Sequence, residues 1–422
     1  MPRAWRAWRP GLMADPAGAP AQFDVIVVGA GIAGSALAVA LSGEGLTLAL
    51  VEAQPLPSDD LPTTMSVDDF DPRVSALTAR SRRFLDDLGV WQAIDAYRSC
   101  AYRHMTVWDA QGTGQIEFDH REVDVPELGH IVENRAIVLP LARRLAAAPD
   151  ITLFNPRKVE DCARQPDDTH VITLDDGTQL RSALVVAADG ALSPIRTMLG
   201  FATREWDYGH RAIVATVQHE CDHRYTAWQR FLPSGPLALL PLPVAGDSHF
   251  CSIVWSIEDA LAEDILAQDD EAFCLALERA SEGCLGAFSA ASKRFAFPLR
   301  QRHAVDYVQP GVVLVADAAH TIHPLAGQGI NLGLADVALL AQETLATTAR
   351  GLPPGDLGSL QRYQRQRKSD NLVMMAAMDG FKRLFEADAL PLRWLRNAGM
   401  RGVGAVAPVK QQLMRHAMGL GN

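Results

Sequence analysis

The stretch from Phe23 to Glu52 sets the tightest limit on what this chain can fold into. "FDVIVVG" is a short unbroken apolar run, the pattern of a strand buried on both faces. It runs straight into Gly29-Ala-Gly31-Ile-Ala-Gly34, and "SALAVALSGEG" follows with helical character. A second apolar run, Leu46 to Val51, ends at Glu52. Strand, glycine turn, helix, strand and acid in this order make a βαβ unit for a dinucleotide. Gly29 permits the tight turn, Gly31 lets main chain approach a pyrophosphate, and Gly34 lets the helix lie on the strand. The helix start offers free N–H groups and partial positive charge to phosphates. Glu52 stands roughly 20 residues past the glycines, where an acid accepts from ribose hydroxyls. The fingerprint alone does not separate FAD from NAD.

Two later stretches point to FAD. "LVVAADGALSPIR", Leu184 to Arg196, is a strand that ends at Asp189-Gly190, with Ser193-Pro194 placed to open a helix. The run "GVVLVA", 311–316, ends at Asp317. A carboxylate at the carboxyl end of a parallel strand points into the crevice where ligands bind. Asp317 there can accept from a ribitol hydroxyl, a use compatible with capping a helix. Beyond it, Pro324, Gly327 and Gly329 interrupt two strongly patterned elements. So open a backbone makes room for a flat ring system. "GVGAVA", Gly402 to Ala407, lacks a preceding strand and is closed by Pro408, so it reads as a loop. A nicotinamide cofactor would therefore have no Rossmann domain of its own.

Composition excludes several classes. With 422 residues and 48% hydrophobic content, the chain can bury one large core or two joined ones. A net charge of -11 argues against nucleic acid as a partner. The six cysteines form no C-x-x-C pair and read as free thiols in a reducing cytoplasm. No metal site is expected, because H-E-x-x-H and paired Cys/His spacings are missing. Residues 1–22 read as a disordered extension without a secretory apolar core, and initiation at Met13 stays open. No apolar run reaches the ~18 residues of a membrane span.

At these residues the chain resembles the FAD-dependent aromatic hydroxylases of ubiquinone biosynthesis, the UbiH/UbiF/VisC family, within the group that includes 4-hydroxybenzoate hydroxylase. The resemblance runs from about Phe23 to Leu420. It is carried by "ADAAHTIHPLAGQGINLGLAD" (316–336), "DPRVSALTARSRRFLDDLGVW" (71–91), "GHIVEN" (129–134), "WQRFLPSGPLALLPL" (228–242) and "LMRHAMGL" (413–420). "WDYGHRAIVATV" (206–217) and "FCSIVWS" (250–256) are most similar to the VisC-like 2-polyprenylphenol hydroxylase branch.

The resemblance implies roles. Gly29, Gly31, Gly34 and Glu52 hold the ADP end, and Arg73 lies along the flavin. Asp189 serves FAD and nicotinamide binding, and Asp317 holds the ribitol. His323, Pro324, Gly327, Gln328 and Gly329 form the reacting segment, with Ile330 and Asn331 beside the cofactor. Asn134 stands where wider relatives carry Arg or Gln against the flavin. Ala316 replaces a customary glycine. That costs little at negative φ and weakens FAD binding if close approach needs glycine. The general base, if any, is left open among His303, His320 and His323.

The implied fold is α/β: a Rossmann-like FAD-binding domain (23–91, 129–203 and 301–350), an inserted, mainly antiparallel substrate domain (92–128 and 204–300), and a helical C-terminal region (351–422). The implied reaction is hydroxylation of a polyprenylated phenol, at the position that becomes C5 of the quinone, through a C4a-hydroperoxyflavin formed from NAD(P)H-reduced FAD and O2. The C-terminal segment, mixing Leu, Met and Trp with Arg and Lys, suits either a membrane surface or its own domain. The expected setting is cytoplasmic, with peripheral contact at the inner membrane. A homo-oligomer and contacts with other quinone-biosynthesis proteins stay open. Other readings are a prenyl reductase, a C6 or C1 ring hydroxylase, and a flavin-bound scaffold. A halogenase is disfavoured because W-x-W-x-I-P is missing.

Overall fold

The structure is a computed structural model and describes residues 19–57, 61–62, 66–244, 246–321, 329–386 and 390–420. Three sheets organise these residues. In the first, strands Val312–Leu314, Gln179–Ala187, Ala21–Val28, Leu48–Val51 and Ile151–Phe154 run parallel in that spatial order. Their apolar runs are continuous because both faces are covered, and Val25, Ile26, Val27, Leu48, Val185, Val313 and Leu314 are all buried. Helix Ile32–Leu41 is flanked by Asn134–Ala147 and Gly329–Ala349. The antiparallel strands Val159–Arg164 and His170–Leu174 extend the sheet, joined to Gln179–Ala187 by a turn through Gly177.

The second sheet has nine strands and is antiparallel except where Thr226–Leu232 lies beside His104–Asp109. Alternation decides its two faces. Ile213, Ala215, Val217, Leu237, Leu239, Ile253 and Trp255 pack beneath helices Asp259–Ala267 and Asp270–Ser281. The opposite face turns toward the small third sheet, where Leu242 and Phe250 meet Phe70, Ala76 and Ile131. The third sheet joins Val74–Leu77, Gly129–Glu133 and Ser99–Tyr102. Strand Phe295–Ala304 continues through position 300, where a domain boundary was expected, and His320–Thr321 pairs with it in the second sheet.

The C-terminal helices dock on their own chain. Arg396 places Nε 2.8 Å from Asp109 Oδ2, both side chains being buried. Asn397 accepts the Gly114 N–H at 2.6 Å. Met414 and Met418 pack on Val123 and Leu128, and Lys410 lies 2.6 Å from Glu122. The expected loop at Gly402–Ala407 is instead the end of helix Leu390–Ala405 and the start of Ala407–Ala417. Buried Arg396 and Met400 hold the helix despite about 1 kcal/mol lost per glycine. Pro408 opens the next helix, where its missing N–H costs nothing. Among the described residues no helix is long and apolar enough to cross a membrane.

Burial holds four histidines at about 4: His130, His170, His219 and His303. An unfolded histidine titrates near 6.5. Between the two values the unfolded chain binds more protons, so stability is full above pH 6.5 and falls as pH drops toward 4. The urea midpoint is therefore expected to fall steadily from pH 7 to pH 4.5, and a flat profile would contradict this.

Candidate functional site

The parallel strands deliver the expected residues to one edge. Gly29 follows Val28, Glu52 follows Val51, Asp189 follows Ala187, and Asp317 follows Leu314. In space their order is Asp317, Asp189, the glycine turn, Glu52, a row about 14 Å long at ~4.8 Å per strand. Main-chain bonds lock the row: Gly29 N–H to Val51 O (2.8 Å), Ala188 N–H to Val28 O (2.8 Å) and Val315 N–H to Ala187 O (3.1 Å).

The glycine turn is shaped by contact. Gly29 has φ +101, and a methyl there would lie 2.4 Å from the Ala188 carbonyl oxygen. A methyl on Gly34 would stand 1.9 Å from the Gly29 oxygen. Gly31 is the opposite case: a side chain there meets no described atom within 4 Å. That clearance lies at the start of helix Ile32–Leu41, which no side chain caps. Free N–H groups facing open space are what a pyrophosphate requires. Glu52 accepts the Ala30 N–H at 2.7 Å and the Gln54 N–H at 2.8 Å, which holds its carboxylate beside the turn.

Asp189 has a carboxylate oxygen that finds no donor among the described residues. Asp189 accepts from Ile195 N–H at 3.1 Å through one oxygen, while the other is buried without a hydrogen-bond partner. Burial raises its pKa, against the pull of Ser193 and the Ile195 N–H. Asp317 is exposed to solvent beyond the end of its strand. Desolvation raises its pKa too, and nearby His320 and Arg73 lower it. Hydroxyl donors from a ligand would relieve both carboxylates.

Arg73 therefore lies near Asp317, with its guanidinium 5.1 Å from the centre of the Phe297 ring on the second sheet. Its loop is held by Asp71, which accepts from Arg73 N–H (2.8 Å) and Arg135 N–H (2.9 Å). Buried Glu133 accepts the Asp71 N–H at 2.7 Å and pairs with Arg98 and Arg135. Asn134 accepts from Ser75 Oγ at 2.6 Å and gives its main-chain N–H to Arg73 O. Asn331 turns its side chain inward, accepting from Thr78 N–H and Ser81 Oγ and donating to Ala76 O. What it can offer a ligand is the first turn of helix Gly329–Ala349, where Ile330 packs on the core.

His323, Pro324, Gly327 and Gln328 lie outside the described residues; Gly329 opens the helix that follows them. His303 and His320 are buried and held by Tyr307 (2.9 Å) and Asp336 (2.5 Å). Ala316 has φ +51, the left-handed region, so its glycine-to-alanine change falls where it carries strain.

Sequence reasoning did not anticipate Asp336, Glu133 or Arg196. Arg196 donates to Ala318 O (2.9 Å) and Ala191 O (2.8 Å), and Arg302 of the second sheet also donates to Ala191 O. Each of these residues reads in sequence as an ordinary charged position on a helix or strand. All three fall in stretches singled out in the sequence, Asp336 in 316–336, Glu133 in 129–134 and Arg196 in 184–196, but the stretches gave none of them a role.

Residues 22–378 match a family model described as FAD binding domain. The chain is 36% identical over 400 residues to the 3-demethoxyubiquinol 3-hydroxylase of Escherichia coli (94% of this chain, 98% of that protein). It is 36% identical to the ubiquinone hydroxylase UbiL of Rhodospirillum rubrum (94% and 89%). It is 33% identical to the human ubiquinone biosynthesis monooxygenase COQ6 (98% and 95%). In fold it is similar to p-nitrophenol 4-monooxygenase PnpA of Pseudomonas putida, with TM-score 0.74, 19% identity, and 95% and 99% of the two chains covered. PqsL of Pseudomonas aeruginosa, a probable FAD-dependent monooxygenase, superposes with TM-score 0.72 at 19% identity over 90% and 100%.

Two substitutions test the local geometry. Gly34→Ala should destabilise the protein by about 2 kcal/mol and weaken FAD retention, since helix and turn must separate. Ala316→Gly should stabilise it by about 1 kcal/mol, because glycine adopts left-handed backbone without the Cβ clash. Urea unfolding reads both.

Proposed function

Since the chain belongs to the FAD binding domain family and is an FAD-dependent monooxygenase, we propose that it hydroxylates the ring of a polyprenylated phenol at the carbon that becomes C5. At the coarser level it is a hydroxylase of ubiquinone biosynthesis. One observation carries the reading. A row of cofactor-binding groups along one sheet edge ends at Asp317, beside Arg73, and Arg73 lies against the second sheet.

FAD, reduced by NAD(P)H as is typical of the family, supplies the electrons and the activation of O2. The chain's own residues do the rest. Gly29, Gly31 and the start of helix Ile32–Leu41 would hold the pyrophosphate, Glu52 a ribose, and Asp317 the sugar-alcohol chain. The N–H groups at the start of helix Gly329–Ala349 would favour negative charge developing nearby.

On the second sheet, cross-strand register puts Phe297, Ala212 and Ser256 on one face, with Val214, Val254, Ala238 and Leu240. This is the face that meets Arg73 through Phe297. Its side chains are small or apolar, which leaves room for a ring and keeps water out, and oxygen transfer needs both. His303 and His320 are committed to Tyr307 and Asp336, so the reading gives neither the work of a base. Peripheral membrane contact belongs to the same proposal. The substrate's tail is apolar, and Val406, Val409 and Leu413 are exposed on and beside the last helix.

The purified protein is expected to be yellow and to consume NAD(P)H and O2 faster with a prenylated phenol. The product should gain one oxygen by mass spectrometry. Phenol intermediates unoxidised at C5 should accumulate when the gene is deleted, and accumulation at C6 or C1 would move the assignment. Loss of prenyl-chain double bonds without O2 uptake would make it a reductase. Asp317→Ala should lose FAD and about 100-fold or more in activity. Full rescue of quinone synthesis by a folded, flavin-free variant would favour a scaffold.

A further inference from the structure

Asp336 is fully buried, and neither the binding row nor the substrate face uses it. Its Oδ2 accepts the Ala316 N–H at 3.0 Å and lies 2.5 Å from His320 Nε2. Its Oδ1 accepts Arg367 Nε at 2.7 Å and Asn371 Nδ2 at 3.4 Å. Arg367, also buried, donates to Asn371 Oδ1 at 2.9 Å. One carboxylate thus ties helix Gly329–Ala349 to helix Leu357–Glu386 and to the turn that carries Asp317.

The two groups it grips in that turn stand on either side of Asp317: the Ala316 amide before it and the His320 ring after it. Ala316 is left-handed, a conformation that alanine disfavours. A main-chain bond to a buried, ionised acceptor outweighs that preference. A purely structural charge pair between Asp336 and Arg367 would not need the Ala316 amide.

We propose that Asp336 is a positioning residue for the cofactor. It holds Ala316 left-handed and His320 in place, so that the Asp317 carboxylate stands in the trough, and Arg367 keeps Asp336 aimed. The proposal rests on the reading that Asp317 binds FAD.

The test is titration of apoprotein with FAD, followed by flavin fluorescence, for wild type, Asp317→Asn, Asp336→Asn and Asp336→Asn with Ala316→Gly. Asp336→Asn is expected to weaken FAD binding about tenfold, the loss of one aligned charged hydrogen bond. Adding it to Asp317→Asn should cost little more, because both act through one carboxylate. Glycine at 316 should recover at least about threefold of the lost affinity, since it takes up the left-handed turn unaided. The same exchange should raise the urea midpoint no more than it does in wild type, which separates positioning from general stabilisation.

Wild-type affinity in Asp336→Asn, independent losses in the double variant, or no recovery with glycine would each overturn the proposal. Failure of wild type to bind FAD, or undiminished binding by Asp317→Asn, would overturn the underlying reading as well. If Asp336→Asn does not fold, Arg367→Lys keeps the charge and loses the planar fork. It should weaken FAD about threefold, again without adding to Asp317→Asn, and unchanged affinity would sink the idea.

Discussion

Everything about this molecule depends on the parallel pairing of five strands, four of which carry the row of acids and glycines beyond their carboxyl ends. Each loop leaving that edge begins with a main-chain bond to the next strand: Gly29 to Val51, Ala188 to Val28, Val315 to Ala187. The strand residues that accept these bonds, Val51, Val28 and Ala187, are buried. The acids and glycines beyond them therefore start from fixed positions. Loops can vary in length and composition while the row stays straight.

The second sheet is attached to this base by polar groups as much as by apolar ones. Arg196 and Arg302 converge on the Ala191 carbonyl, one from each side of the junction. Glu133 and Asp71 hold the loop of Arg73, which touches Phe297 across the divide. Burying these charges is costly unless each is paired, and here most are. The pairing fixes the relative placement of the first and second sheets more sharply than oily contact would, because hydrogen bonds are directional.

The binding half was readable in the sequence because its physics is local. A glycine that must approach Ala188 or Gly29 has no substitute, and an acid at the end of an apolar strand has few reasons to be there. The strands and the Ser193-Pro194 helix start were legible for the same reason. The rest depends on contacts between distant residues. Asp336 meets Arg367 across two helices, and Glu133 of the small sheet meets Arg98 at the end of helix Trp91–Arg98. Neither pairing leaves a spacing to read. The segment from Gly402 to Ala407 misled because glycines and a proline suggest a loop locally, while Arg396, Asn397 and Met400 anchor the preceding turns to the substrate sheet. Ala316 was visible as a departure, but the sign of its φ could not be known without the backbone.

The ion pair between Asp109 and Arg396 joins residues 287 apart in the chain. At about 5–20 residues per second of synthesis, the aspartate precedes its partner by roughly 15–60 s. Until then Asp109 has no arginine to neutralise it, so the hairpin that carries it has reason to remain hydrated. The nucleotide-binding core also waits, since Val312–Leu314 and helix Gly329–Ala349 emerge late. The docking of helix Leu390–Ala405 on that hairpin is therefore among the last contacts the growing chain can make.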